Sequence, residues 1–172
     1  ATLANTIGGT AAGAGNVISG NSNYGVALVA DAQIIQGNWI GLNAAGDAAV
    51  ANGLAGVLVN GNDDNVIGGT AAGAGNVISG NTAGDGIWIT NGGDGNLIQG
   101  NLIGTNPTGT VAIPNAIGVD LNAGASNMAI GGSTADSRNV ISGNTLYGVH
   151  LADSGTTSNV IQGNYVGTTI SG

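Results

Sequence analysis

Gly86-Ile87-Trp88-Ile89, followed by Asn96-Leu97-Ile98-Gln99-Gly100-Asn101-Leu102-Ile103, is the stretch that decides the fold. Its apolar residues alternate with a period of two, and Gly or Asn interrupts them before a helical stripe can develop, so short strands joined by sharp corners are expected. The same order of segments returns along the chain. Gly25-Val26-Ala27-Leu28, Gly56-Val57-Leu58-Val59, Gly118-Val119-Asp120-Leu121 and Gly148-Val149-His150-Leu151 repeat its first part every 31 residues or so, roughly, with Asn-x-Ile pairs in each interval. Each period therefore carries three short strands, and a unit of that size buries its apolar side chains only by stacking on its neighbours.

Two kinds of period alternate. The block Thr10 to Asn21 recurs letter for letter at Thr70 to Asn81, and a drifted copy ends Asn139-Val140-Ile141-Ser142-Gly143-Asn144. In this kind an Ala/Gly-rich insert such as Gly69 to Gly75 splits the second strand from the third; in the other the padding follows the third strand, as in Thr105 to Ile117. The super-repeat is about 62 residues, with boundaries at 5–64, 65–126 and an incomplete 127–172. The expectation is one all-β domain over 1–172 with five to six coils, about 25 Å long at the spacing of β-strands.

Superposing the coils aligns Asn16, Asn38, Asn76, Asn101, Asn139 and Asn164 in one column, and Asn21, Asn43, Asn81, Asn106 and Asn144 in a second, closed by Thr169. Stacked amides hydrogen-bond from rung to rung and satisfy turn backbone that is shielded from water. A ladder of this kind is structural, and Ile18, Ile40, Ile78, Ile103, Ile141 and Val166 then stack as the core.

This pattern, clearest in the stretch quoted above, resembles the right-handed parallel β-helix repeat of the pectin-lyase-like fold, of the kind found in bacterial surface and secreted repeat proteins. The resemblance implies a right-handed parallel β-helix with three strands per coil. It spans polysaccharide lyases and hydrolases, phage tailspikes and non-catalytic surface proteins, so it narrows the fold more than the function. Its enzymes carry their sites on the outer face of one sheet. The corresponding outward column here is Ala27, Leu58, Trp88, Asp120 and His150, which makes Trp88, Asp120 and His150 the glycan-binding candidates. The Arg or Lys base and calcium-holding acids of the lyases are lacking, as is the carboxylate cluster of the hydrolases. Asp120 is expected to be a solvated outward acid, and no catalytic residue is assigned.

Composition excludes further classes. With no lysine, a single arginine at Arg138 and a net charge of −8, the chain repels nucleic acid and anionic membrane surfaces. No apolar run is long enough to cross a bilayer, so membrane insertion is not expected. The absence of cysteine says little about compartment, because a ladder-bonded solenoid needs no disulfide. No strand column shows the stacked Thr-x-Thr of an ice-binding surface.

Two surface features call for partners. Asp31, Asp63, Asp64, Asp94 and Asp153 gather at the corner after the Gly-apolar-x-apolar strand without a basic neighbour in sequence. Calcium would relieve their repulsion, and a solvated acidic edge is the alternative. The outward residues of the Asn-x-Ile strands are apolar: Ile34, Val66, Leu97 and Val160 in one row, and Val17, Trp39, Val77, Leu102, Val140 and Tyr165 in the next. Either the padded inserts fold back as a cover or a second chain packs there, and the second row is the candidate interface.

The repeat begins at Asn5-Thr6-Ile7 and still runs at Asn164-Tyr165-Val166 with no capping segment in view, and the first residue is not Met. The expectation is a piece of a longer or processed protein, or a subunit that stacks on copies of itself. The function expected is a non-catalytic rod or spacer of a bacterial extracellular, cell-surface or fibrous assembly. A polysaccharide-binding or polysaccharide-cleaving β-helix is the alternative.

Overall fold

The computed structural model describes residues 4–172, as an all-β parallel solenoid with three sheets. Sheet A holds β1 (Thr6–Gly8), β4 (Ile34–Gln36), β7 (Val66–Gly68), β10 (Leu97–Gln99), β13 (Ala129–Gly131) and β16 (Val160–Gln162). Sheet B holds β2 (Val17–Ile18), β5 (Trp39–Ile40), β8 (Val77–Ile78), β11 (Leu102–Ile103), β14 (Val140–Ile141) and β17 (Tyr165–Val166). Sheet C holds β3 (Tyr24–Leu28), β6 (Ala55–Asn60), β9 (Asp85–Thr90), β12 (Ile117–Leu121) and β15 (Tyr147–Leu151). The described residues thus form five full coils and the first two strands of a sixth. The only helical element among them is a 3-10 turn at Ala135–Ser137, and no helix is long and apolar enough to cross a membrane.

Registration is rung for rung. Ile35 pairs with Ile67, Ile67 with Ile98 and Ile98 with Ile130; on sheet B, Ile40, Ile78, Ile103 and Ile141 follow one another in the same way. With Val57, Val59, Ile87, Ile89, Val119 and Leu121 from sheet C, these side chains make one continuous, fully buried core. Because the side-chain period is two, a one-residue slip of any strand would turn its Ile to the outside, and that locks the register.

The corners carry three amide ladders, one more than the sequence suggested. Between sheets A and B the expected column is present: Asn16, Asn38, Asn76, Asn101, Asn139 and Asn164 each pass Nδ2 to the Oδ1 of the next. Between sheets B and C the column is Asn21, Asn52, Asn81, Asn115 and Asn144. This corrects the expected membership of Asn43 and Asn106. Those two instead cap β-hairpins in the padding, where Asn43 Oδ1 accepts from Asp47 and Ala48 and Asn106 Oδ1 from Thr110 and Val111. The ladder resumes only after each hairpin, so simple superposition chose the wrong side of the insert. A third ladder ahead of sheet A runs Asn5, Gln33, Asn65 and Asn96, with Met128 in the next place and Asn159 beyond it.

A side chain cannot intrude at the corner that closes β7. A Cβ on Gly68, whose φ is +89°, would lie 2.0 Å from Gln99 O and 2.6 Å from Asn101 Oδ1. The backbone there takes a conformation and a spacing that only glycine accepts. Among the described residues, Asn62 Oδ1 is the one buried side-chain polar atom without a partner.

The padded inserts do fold back. The hairpins at Leu42–Ala49 and Thr105–Ala112 lie over sheet B, where Leu42 and Ile113 bury Val77 between Trp39 and Leu102. Val77 is therefore an interior residue, and Val140 is buried as well, which removes both from the candidate interface. Trp39 and Leu102 are half-buried under the same cover, Tyr165 carries the guanidinium of Arg138 4.2 Å above its ring, and Val17 on the first coil stays exposed.

Candidate functional site

On the outer face of sheet C, β9, β12 and β15 bring Trp88, Asp120 and His150 onto successive rungs. Their polar atoms meet. His150 Nδ1 lies 2.7 Å from Asp120 Oδ1, and Asn122 Nδ2 donates to Asp120 Oδ2 at 2.8 Å. Trp88 Nε1 donates to Asn122 Oδ1 at 3.3 Å. Tyr147, three residues before His150, stacks on the imidazole with ring centres 4.9 Å apart. The expectation of a solvated Asp120 is thus overturned: the residue is buried, with both oxygens partnered by side chains of its own and the next coil.

A second carboxylate belongs to this face and was missed. Asp85 opens β9, three residues before Trp88, the position that Tyr147 holds before His150. Half-burial raises its pKa to about 6, helped by the negative charge of Asp120 and opposed by His150. Among the described residues its carboxylate has no hydrogen-bond partner, whereas Asp120 has two. The signal available in sequence was the residue ahead of each strand's Gly, which alternation alone treats as part of the corner. Chemically, the face offers an imidazole fixed through Nδ1 with Nε2 free, a nearby acid that titrates close to neutrality, and two aromatic rings.

The titration of Asp85 gives a test of this geometry. A carboxyl whose folded pKa is raised adds stability that is complete below its unfolded value near 3.8 and is lost as pH rises through about 6. Asp85→Asn is therefore expected to melt close to the parent at pH 4 and above it at pH 8. The gain should be about 1–2 kcal/mol once screening at a half-exposed site is allowed for. Thermal melts of both proteins across that range check it, and an equal offset at all pH values would show that folding does not raise the Asp85 pKa.

The acidic corner is organised differently from the expectation. Asp31 Oδ1 accepts from the Asp63 N–H at 2.9 Å, Asp63 Oδ1 from the Asp94 N–H at 2.8 Å, and Asp94 Oδ1 from Asn127 Nδ2 at 2.6 Å. Each carboxylate thus meets a donor from the following coil. The Asp63 N–H, with Asn62 behind it, holds the Asp31 carboxyl below its usual range. Asp64 and Asp153 stand outside this row: both sit in left-handed corners, with φ of 55° and 69°, and Asp153 follows the rung of Leu121, in line with Ala123. Backbone and amide donors thus satisfy Asp31, Asp63 and Asp94, and no group of three or more His, Cys, Asp or Glu among the described residues is placed to hold a metal ion.

A groove of about 380 Å³ lies away from sheet C, between the first Ala/Gly-rich insert, Val17, Trp39 and Gly73. Comparison with protein-family models, with curated proteins and with solved structures gives no match.

Proposed function

We propose that this chain is a non-catalytic structural segment of a right-handed β-helix rod, a spacer in an extracellular or cell-surface assembly of the bacterial pectin-lyase-like kind. Its coils are continued by copies of itself or by adjoining coils of a longer parent. The observation that carries this reading is the uniformity of the interior coils: Ile35, Ile67, Ile98 and Ile130 follow one another in register, and Asn38, Asn76, Asn101 and Asn139 repeat one amide bond from rung to rung. The regular rungs also suit a module lengthened by duplication, because every interior coil makes the same contacts as its neighbours.

Light scattering and electron microscopy over a dilution series test the self-associating form of this reading. The mass is expected to rise with concentration from 16.3 kDa in whole multiples, with particles that lengthen without thickening. A mass that stays at that of the single chain at every concentration would remove self-association.

A further inference from the structure

The amide ladder ahead of sheet A is broken at one interior rung. Met128 stands one residue before Ala129, which pairs with Leu97, so it holds the column place that follows Asn96. On the rungs before it the bond is regular. Asn5 N–H and Nδ2 donate to Gln33 Oε1 at 3.2 and 2.7 Å, and Asn65 N–H and Nδ2 donate to Asn96 Oδ1, both at 2.8 Å. Beyond it the column resumes, with Met128 N–H donating to Asn159 Oδ1 at 3.0 Å. Asn96 has no such partner: its N–H meets no acceptor among the described residues, and its Nδ2 reaches only back, to Asn62 O at 3.0 Å. The orphaned donor lies at a fully buried corner, beside a methionine that is 1% exposed and belongs to the core cluster, and an unmet N–H in such a place is costly.

Met128 is also the one sulfur in the chain, which has a single methionine and no cysteine. In methionine sulfoxide the oxygen follows Cβ, Cγ and Sδ, as Oε1 of glutamine follows Cβ, Cγ and Cδ. Gln33 shows in this same column that an oxygen of that reach accepts both donors of the preceding coil.

We propose that Met128 is a modification site for peroxides, and that its sulfoxide accepts the Asn96 N–H and closes the ladder. A sulfur lone pair takes one oxygen of hydrogen peroxide, and the S–O bond forms as the O–O bond breaks. The proton on the transferred oxygen passes to the departing one; sulfur is oxidised by two electrons and the peroxide leaves as water. Burial makes the step slow on the folded chain, because the corner must open first. Oxidation of a core methionine ordinarily disrupts packing, since it sets a polar group in an apolar site. At this rung the donor is already in place, so the sign reverses and the oxidant strengthens the coil. The inference goes beyond the rod reading and holds whether or not the chain associates.

Treating the chain with hydrogen peroxide in urea and then refolding it yields the sulfoxide without dependence on access, and mass spectrometry checks for one added oxygen at Met128. Thermal melts and amide hydrogen exchange compare it with the untreated protein, Met128→Gln and Met128→Leu. The sulfoxide and Met128→Gln are expected to melt about 3–6 °C above the untreated chain. In both, the Asn96 amide is expected to exchange at least about tenfold more slowly. Met128→Leu keeps the gap and has no sulfur, so its Asn96 amide is expected to stay fast and its melt to ignore peroxide. An oxidised chain that melts at or below the untreated one, or fails to refold, would overturn the proposal. A Met128→Gln protein that melts below the untreated one would do the same, by showing that an oxygen of this reach does not meet Asn96. A raised Tm with unchanged Asn96 exchange, or a peroxide shift that persists in Met128→Leu, would place the effect elsewhere and overturn it as well.

Discussion

Ile78→Asp is expected to abolish cooperative folding, leaving a chain that aggregates or shows no thermal transition. Ile78 lies on β8 in the third coil, with Ile40 on one side, Ile103 on the other and no exposure to solvent. The surrounding core is aliphatic, and no cation is within it. An unpaired carboxylate there either ionises at a cost of several kcal/mol or takes up a proton and still loses its hydrogen bonds to water. Folded domains hold only about 5–15 kcal/mol in total, and in a solenoid the loss falls on two interfaces at once. Circular dichroism and a thermal melt decide the outcome. A melt close to that of the parent would mean that Ile78 points outward and that the register of sheet B is wrong.

Asn115→Ala is expected to cost about 3–5 kcal/mol, against about 1 kcal/mol for Asn106→Ala, although the sequence places the second residue in the ladder. Asn115 Oδ1 receives the N–H and Nδ2 of Asn81, and its own Nδ2 serves Ile78 O at 2.9 Å and Asn144 Oδ1 at 3.0 Å. Removing that side chain strands the Asn81 N–H and Ile78 carbonyl at a fully buried corner, and each such group costs about 1–3 kcal/mol. Asn106 instead accepts from Thr110 and Val111 at 3.0 and 3.1 Å in an exposed hairpin, where water can replace it. Urea unfolding of the two variants gives the comparison. Equal losses would return Asn106 to the ladder and displace the hairpin from its place over sheet B.

The same contrast marks how far the sequence could be read. The inward isoleucines and the ladder between sheets A and B follow from spacing alone, because each ladder Asn stands directly before its strand, as in Asn76-Val77-Ile78 and Asn101-Leu102-Ile103, so that the Gly69 to Gly75 insert ahead of Asn76 does not shift it. The ladder between sheets B and C did not follow, because a hairpin of variable position separates the two Asn residues that compete for it. The ladder ahead of sheet A was hidden by Gln33 and Met128, which break the run of Asn without breaking the fold. On sheet C the register of Trp88, Asp120 and His150 was legible, but the closure of Asp120 onto His150 and Asn122 was not.

What the sequence by itself determined is what repeats. Period-two alternation, corner Gly and Asn, and near-identical blocks admit a stack of three-stranded coils and leave little room for helix. Only the tertiary structure decided what happens between rungs. Rotamers and insert paths there are set by neighbours about 31 residues away, which local spacing does not register. Those neighbours turned Val77 and Val140 from surface into core, supplied the acids of Asp31, Asp63 and Asp94 with donors from the next coil, and raised the pKa of Asp85 through a charge on another strand. They also gave the Asn38–Asn76–Asn101–Asn139 ladder one direction. The physical reason is that a side-chain amide is symmetric in the sequence but not in space, where its donor and its acceptor face different coils.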